Sequence, residues 1–420
     1  MKQVVIVGGG FAGIKLAKKL SKSKHHQVTI VDQNNYHFFP PLLYQVATAF
    51  IEQSNISYPF RKLFQNTTIN FYMGKLLEVF PEEKKVLTDN GEIKYDILVL
   101  AMGTETNFFG NNEIKNHAFP MKSIDDALSM RNHILMQLEE ATRSSLPEDR
   151  TTLSNIVIAG GGPTGVELAG MMAEMGSNVF KKDYPNFDFN YGKVYLVDAL
   201  STLLAPMSNK SQSEALQVLK KLGVEVLLGK LVHGYDGKQV SLSDGTHIPA
   251  ATLIWTSGVI ARKVKGIPDS ALGRGGRILV DAFNKIIESD SIYAIGDQCL
   301  QTSDTNFKNG HPQLAQVAIQ QGDLLGENFI SLETGESLKE FTYNDKGSMA
   351  IIAKFKAVVD LPGGFFKGII AWLLWLFIHI IPIAGFRNKT KLVFSWLWSF
   401  ITNDPTLRLI IRPDKKIKND

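Results

Sequence analysis

The sequence predicts an α/β protein with two Rossmann-like dinucleotide-binding domains, the second inserted in the first, and a C-terminal amphipathic helical membrane anchor. Three observations predict it. A strand, glycine-turn and helix unit occurs twice; apolar strands return on both sides of the second copy; and an apolar, tryptophan-rich stretch lies near the end. A length of 420 residues suits two or three domains.

The first copy, Val4 to Leu20, reads VVIVGGGFAGIKLAKKL, and 152 residues later Ile156 to Met172 reads IVIAGGGPTGVELAGMM. In each, a short apolar run predicts a buried strand, the glycines a tight turn, and the following spacing an amphipathic helix. Gly8, Gly10 and Gly13, and again Gly160, Gly162 and Gly165, stand where a dinucleotide fingerprint needs glycine. The first makes the turn, the second lets backbone approach a pyrophosphate, and the third lets helix and strand pack closely. The pyrophosphate would sit at the helix N-terminus, where free N–H groups and the dipole favour an anion. Each copy has a second strand ending in an acid, Gln27 to Asp32 (QVTIVD) and Lys193 to Asp198 (KVYLVD), with 14 extra residues before the second. Asp32 and Asp198 would accept hydrogen bonds from ribose hydroxyls.

Three further strands are expected at Tyr95–Gly103, Leu253–Val259 and Ser291–Asp297, with Met121–Arg150 as a polar helical connection. The net charge of +4 is concentrated in the tail: residues 360–420 hold nine Lys/Arg against four Asp/Glu, and the rest is nearly neutral. That removes a general case for nucleic-acid binding. The single cysteine, Cys299, excludes an internal disulfide and a redox cysteine pair, and it is expected to be a small buried hydrophobe. After Met1 and Lys2 the apolar run Val4 to Val7 is too short for a secretory signal.

The segments GGGFAG, NYHFFPPLLYQVAT (Asn35 to Thr48), AMGTETNFFG (Ala101 to Gly110), GGGPTGVE, WTSGV, YAIGD and AQVAIQ (Ala315 to Gln320) resemble the two-dinucleotide-binding-domain flavoproteins. More narrowly they resemble the type II, non-pumping NADH:quinone oxidoreductases. The resemblance implies non-covalent FAD on the first fingerprint and NADH on the second, with electrons passing to a membrane quinone, menaquinone or ubiquinone. It implies an FAD-binding domain over 1–118 and 255–360, an NADH-binding domain over 119–254 and a membrane-anchoring region over 361–420. By the same likeness Asp32 holds the FAD ribose, Thr48 lies near the isoalloxazine and Asp297 bonds the ribityl chain. Where the family has Ala-Thr-Gly this chain has Ala101-Met102-Gly103, which keeps the turn and removes the threonine. A ferredoxin or rubredoxin reductase, or a related NAD(P)H flavoprotein, shares both fingerprints but lacks AQVAIQ and the tail. A tethered NAD(H) sensor without turnover is the reading from another class.

Two positions stand out for chemistry. Glu167 follows Gly165 by two residues, and the resemblance points it toward nicotinamide and flavin; an acid at a helix N-terminus also stabilises the dipole. Gln316 and Gln320 are four apart on one helix face, uncharged donors suited to quinone carbonyls. The resemblance sets them at the quinone site, with Gln316 also touching the flavin. In the tail, Ile369–Ile381 is apolar except for His379 and is followed by Pro382. A run of 13 falls short of the roughly 20 residues a span requires. Trp372, Trp375, Trp396 and Trp398 around Arg387, Lys389 and Lys391 fit a membrane interface, with a homodimer contact as the rival use of the same face. The expected location is the cytoplasmic face of the cell inner membrane, held peripherally.

Overall fold

The two glycine-rich repeats fold as the central strand and first helix of two separate parallel sheets. The computed structural model describes residues 1–402 and 407–411. In the first repeat and the chain after it lie β1 (Lys2–Val7), α1 (Phe11–Leu20), β2 (His26–Asp32), α2 (Leu43–Ala47), β3 (Asn70–Met73) and β4 (Ile97–Leu100). Then come β5 (Phe119–Pro120), α3 (Ile124–Arg143), β6 (Ile156–Ala159), α4 (Pro163–Met175), β7 (Val194–Asp198), β8 (Glu225–Leu228) and β9 (Thr252–Trp255). The last part holds β10 (Ile292–Ala294), α5 (Ala315–Thr334), β11 (Ser348–Ala353), β12 (Lys356–Leu361), β13 (Gly364–Lys367), α6 (Gly368–Ile380) and α7 (Phe386–Thr402).

The chain divides into two compact units, the first formed by residues 1–38, 57–105 and 259–346. Its sheet runs β10-β4-β1-β2-β3, all parallel, with β1 paired to β2 from Lys2 opposite His26 to Val7 opposite Val31. Strands covered on both faces read as continuous apolar runs. Val4 and Ile6 accordingly pack into one buried cluster with α1 and α5, and Val5 and Val7 into another with Leu98, Leu100 and Cys299.

The second unit comprises residues 39–56, 106–258 and 347–420, of which 403–406 and 412–420 are outside the description. Its sheet, β5-β9-β6-β7-β8, is also all parallel. The expected helical connection over Met121–Arg150 is α3 with a second short helix, Pro147–Ser154. A capping box starts α3: Asp126 N donates to Ser123 Oγ at 3.1 Å and Ser123 N to Asp126 Oδ2 at 2.8 Å. The antiparallel sheet β11-β12-β13 packs on α4, where Gly170 permits very close approach: a Cβ there would lie 1.5 Å from Ile352 O.

The tail corrects the expectation drawn from its tryptophans. Trp372, Trp375 and Trp396 are buried against the second unit, and only Trp398 is turned out. The face left exposed is aliphatic and phenylalanine-rich, with Ile369, Ile370, Leu373 and Phe377 on α6 and Phe394, Leu397 and Ile401 on α7. Arg387, Lys389 and Lys391 belong to the opening turns of α7 itself, because helix resumes at Phe386 directly after Gly385 (φ +81°). Among the described residues no helix is long and apolar enough to cross a membrane.

Candidate functional site

Both repeats build the same crevice. Gly8 and Gly160 adopt φ of +112° and +114°, a conformation L side chains rarely adopt, and turn the chain from strand into helix. A Cβ on Gly13 would sit 2.0 Å from Gly8 O, and one on Gly165 1.8 Å from Gly160 O, so the helix closes on the turn only with glycine there. Gly10 and Gly162 face open space. They are the N-caps of α1 and α4, and neither helix has a side-chain cap or an acid in its first turn. The first amides are left for a ligand's anionic oxygens.

The terminal acids behave alike. Asp32 accepts Gly9 N at 2.7 Å through Oδ2 and Asn34 N at 2.8 Å through Oδ1. Asp198 accepts Gly161 N through Oδ2 and Leu200 N at 2.6 Å through Oδ1. Each carboxylate therefore holds the glycine turn in place and keeps lone pairs for a ribose hydroxyl. Burial pushes the Asp32 carboxyl up, opposed by the two amides and the charge of Arg262.

In the first unit the fold gathers Gly8, Gly10, Gly13, Asp32, Ala101, Gly103, Asp297 and Gln316. Gly8 closes on the carbonyl of Ala101, where a Cβ would come within 2.3 Å. Gly296 lies beside Ala12 and Ala318, which brings Asp297 to the start of both α1 and α5. Several residues that hold this region were not singled out from the sequence. Buried Gln298 accepts Met102 N at 3.0 Å and donates to Arg262 O at 3.0 Å, fixing the Ala101-Met102-Gly103 turn. Buried Gln321 accepts Gly296 N at 2.7 Å. Gln313 donates to Asp297 O at 2.9 Å. His37, pushed down to about 4 by burial, is neutral and donates from Nδ1 to Gly9 O at 3.1 Å. Nothing in local sequence marks these four, since each partner is distant in the chain.

The glutamine pair of α5 is divided by its surroundings. Gln320 is tied to the backbone of Asn344 at both ends of its amide, donating to O at 3.0 Å and accepting N at 3.1 Å. Gln316 is half-buried, and its side-chain amide makes no hydrogen bond within the described residues. Cys299 is buried, with its thiol pushed up to about 11 and Gln321 Nε2 donating to it at 3.3 Å.

The second unit holds Gly160, Gly162, Gly165, Glu167, Asp198 and Thr48. Glu167 is 7% exposed, and burial pushes its carboxyl well above the usual carboxylate range, against one hydrogen bond from the Ile351 amide. Glu167 lies beyond the first turn of α4, where an acid no longer meets the free amides, so the dipole explanation of this residue fails. Tyr44 of α2 lies near the same carboxyl, and its hydroxyl is pushed up by burial. Thr48 is fully buried and donates to Tyr44 O at 2.8 Å. A small apolar cleft, with room of about 60 Å³, opens beside Tyr44, lined by Tyr44, Phe50, Met171, Lys354, Trp372 and Phe400.

The comparisons with known proteins place this geometry. Residues 2–322 match the pyridine nucleotide-disulphide oxidoreductase family, and residues 346–403 match the NDH2 C-terminal domain. The chain is 34% identical over 416 residues to the type II NADH:quinone oxidoreductase Ndh of Mycobacterium tuberculosis, covering 95% of this chain and 88% of that protein. It belongs to the type II NADH:quinone oxidoreductase family. The Haemophilus influenzae type II NADH:quinone oxidoreductase is 30% identical over 398 residues, covering 87% and 88% of the two chains. In fold, the chain is similar to NDH2 from Plasmodium falciparum in complex with NADH, with a TM-score of 0.89 at 21% identity, covering 98% of this chain and all of that one. The Aquifex aeolicus sulfide:quinone oxidoreductase follows with a TM-score of 0.72 at 16% identity and 96% and 92% coverage. The type II oxidoreductase family implies FAD and NAD(H), and both crevices fit such groups: each offers uncapped helix amides beside an open glycine and a carboxylate for ribose. The NDH2 C-terminal match covers β11 to α7.

Proposed function

We propose that this type II NADH:quinone oxidoreductase binds FAD non-covalently in the first crevice and NADH in the second, and reduces menaquinone or ubiquinone at a membrane surface without pumping protons. The observation that carries this reading is the duplicate crevice, one per unit, each with its own ribose acid. Bound FAD would supply the two-electron chemistry, taking a hydride equivalent from NADH and passing electrons to the quinone. The protein's residues bind, orient and manage protons. Gly8, Gly10, Gly13 and Asp32 would hold the flavin's pyrophosphate and ribose, with Ala101, Gly103, Thr48 and Asp297 along the rest of it. Gly160, Gly162, Gly165 and Asp198 would hold NADH. We assign these roles to an FAD-binding domain of 1–118 and 255–360 and an NADH-binding domain of 119–254, a division by cofactor rather than by packing.

Glu167, buried with its carboxyl pushed up, would donate a hydrogen bond to a reacting group and hold a proton for the reduced quinone. Gln316 would orient a quinone carbonyl. Gln320, bound to Asn344, supports it by fixing the chain that follows α5. The apolar cleft of the second unit suits an isoprenoid chain. The exposed apolar face of α6 and α7 would lie in one leaflet, with Arg387 at anionic headgroups. Each large apolar side chain buried there contributes on the order of 1.5 to 3 kcal/mol, so several suffice for anchoring without a span. A second copy of the chain covering that face is the competing use. The test is a protein purified with its flavin: NADH should bleach the flavin and a quinone restore the colour, while flotation with anionic vesicles should depend on α6 and α7. Bleaching that no quinone reverses would refute the reading.

A further inference from the structure

The turn from Phe108 to Asn111 carries a residue that its geometry disfavours. Asn111 N donates to Phe108 O at 2.9 Å, and the two central residues, Phe109 and Gly110, have φ of +51° and +77°. Two positive φ values across such a bond define a type I′ turn, for which Asn-Gly is the favoured pair. A bulky aromatic there is an outlier that persists only when its surroundings enforce it. They do: Phe109 N donates to Asn107 Oδ1 at 2.8 Å, Trp255 Nε1 donates to Asn107 O at 2.8 Å, and Asn107 N donates to Gly258 O at 3.1 Å. Hydrophobic burial does not explain the choice, because the side chain is 64% exposed.

The ring stands at the β9 edge of the second crevice. Its Cζ is 3.1 Å from where a Cβ of Gly258 would be, and its edge meets Trp255 at 6.5 Å between centroids. Trp255 pairs with Ala159, the residue before the glycine turn, and Thr256 N donates to Ala159 O at 2.8 Å. In the parallel order β5-β9-β6-β7-β8 the strand order reverses between β6 and β9, the switch point across which dinucleotides bind. Asp198 ends β7 on one side of the glycine turn, so adenosine belongs there. Phe109 lies on the β9 side, over the other half.

We propose that Phe109 is a specificity-determining residue whose ring packs against the nicotinamide half of NADH, its strained turn presenting the ring pre-set. The inference rests on the second crevice taking NADH. The test measures binding of NAD⁺ and of ADP-ribose, which lacks the nicotinamide, to the oxidised flavoprotein by calorimetry. Phe109→Leu should weaken NAD⁺ about tenfold, the upper range of a single aromatic contact, and leave ADP-ribose within about twofold. Phe109→Asn restores the favoured turn pair and should show the same selective loss with Tm unchanged or raised. Gly258→Ala, which pushes the ring aside, should repeat it. Equal weakening of both ligands, or no change in NAD⁺, would overturn the proposal. If the unmodified protein bound neither ligand, the crevice reading itself would fall, a result distinct from both.

Discussion

The indole N–H of Trp396 donates to Gln45 Oε1 at 2.8 Å, and the same amide donates through Nε2 to the hydroxyl of Tyr44 at 3.0 Å. A residue of the closing helix is thus bonded inside the second unit, with Trp396 4% and Gln45 3% exposed. The burial of Trp372, Trp375 and Trp396 shows that the region expected as a membrane anchor is also part of the second unit's core.

Deleting 361–420 should therefore lower Tm steeply, since each buried tryptophan lost uncovers core and Gln45 loses its partner. Replacing Ile370, Leu373, Phe377 and Phe394 by glutamine should shift Tm by only a few degrees while abolishing vesicle flotation. NADH-dependent ferricyanide reduction should persist in that variant. A substituted protein that still floats would place the membrane contact elsewhere.

Burial holds the Glu167 carboxyl well above the usual carboxylate range in the folded chain. Unfolding at neutral pH lets the carboxyl ionise, so the group lowers stability increasingly as pH rises above its unfolded value, by up to about 1.4 kcal/mol per pH unit until the folded group itself titrates. Glu167→Gln should match the parent in Tm near pH 5 and exceed it near pH 8. It should keep FAD and slow quinone-dependent turnover. A Tm difference that is the same at both pH values would show that Glu167 is not buried as an acid.

Asp198 is followed by Ala199, Leu200 and Ser201, with no arginine at these positions to take a 2′-phosphate. NADH should have a higher kcat/KM than NADPH, and Asp198→Ala should narrow the gap. Because Asp198 also holds Gly161, the variant should lose some NADH affinity as well. Equal kcat/KM for the two nucleotides in the parent enzyme would contradict the assignment.

The two glutamines of α5 should separate in stopped flow. Gln316→Ala should leave flavin reduction by NADH near the parent rate, slow reoxidation by quinone and leave Tm alone. Gln320→Ala should lower stability by about 1 to 2 kcal/mol, because Asn344 loses two hydrogen bonds. A slowed NADH step in the Gln316 variant would remove it from the quinone site.

Cys299 should be inert. A thiol pushed up to about 11 and buried beside Gln321 and Asn284 should resist iodoacetamide at pH 8 in the folded enzyme and react only after denaturation. Loss of activity to the reagent in step with labelling of the native protein would overturn this.

The two crevices are legible in the amino-acid sequence. Strand, glycine turn and helix are encoded in contiguous residues, and Asp32 and Asp198 follow at the end of the next strand, so local geometry alone carries Gly8, Gly10, Gly13 and their second-copy counterparts into position. Only the tertiary structure decided what depends on distant partners. Gln298 reaches Met102 across 196 positions and Trp396 reaches Gln45 across 351, separations at which no periodicity or motif records the pairing. The same holds for Glu167, whose burial follows from Gly170 letting β11 close over α4, and for the tail, where helical spacing gave an apolar stripe but not which side of it faces inward. The physical reason is that φ preference and strand period act between neighbours, whereas burial and desolvation are set by whatever surface the rest of the chain brings alongside.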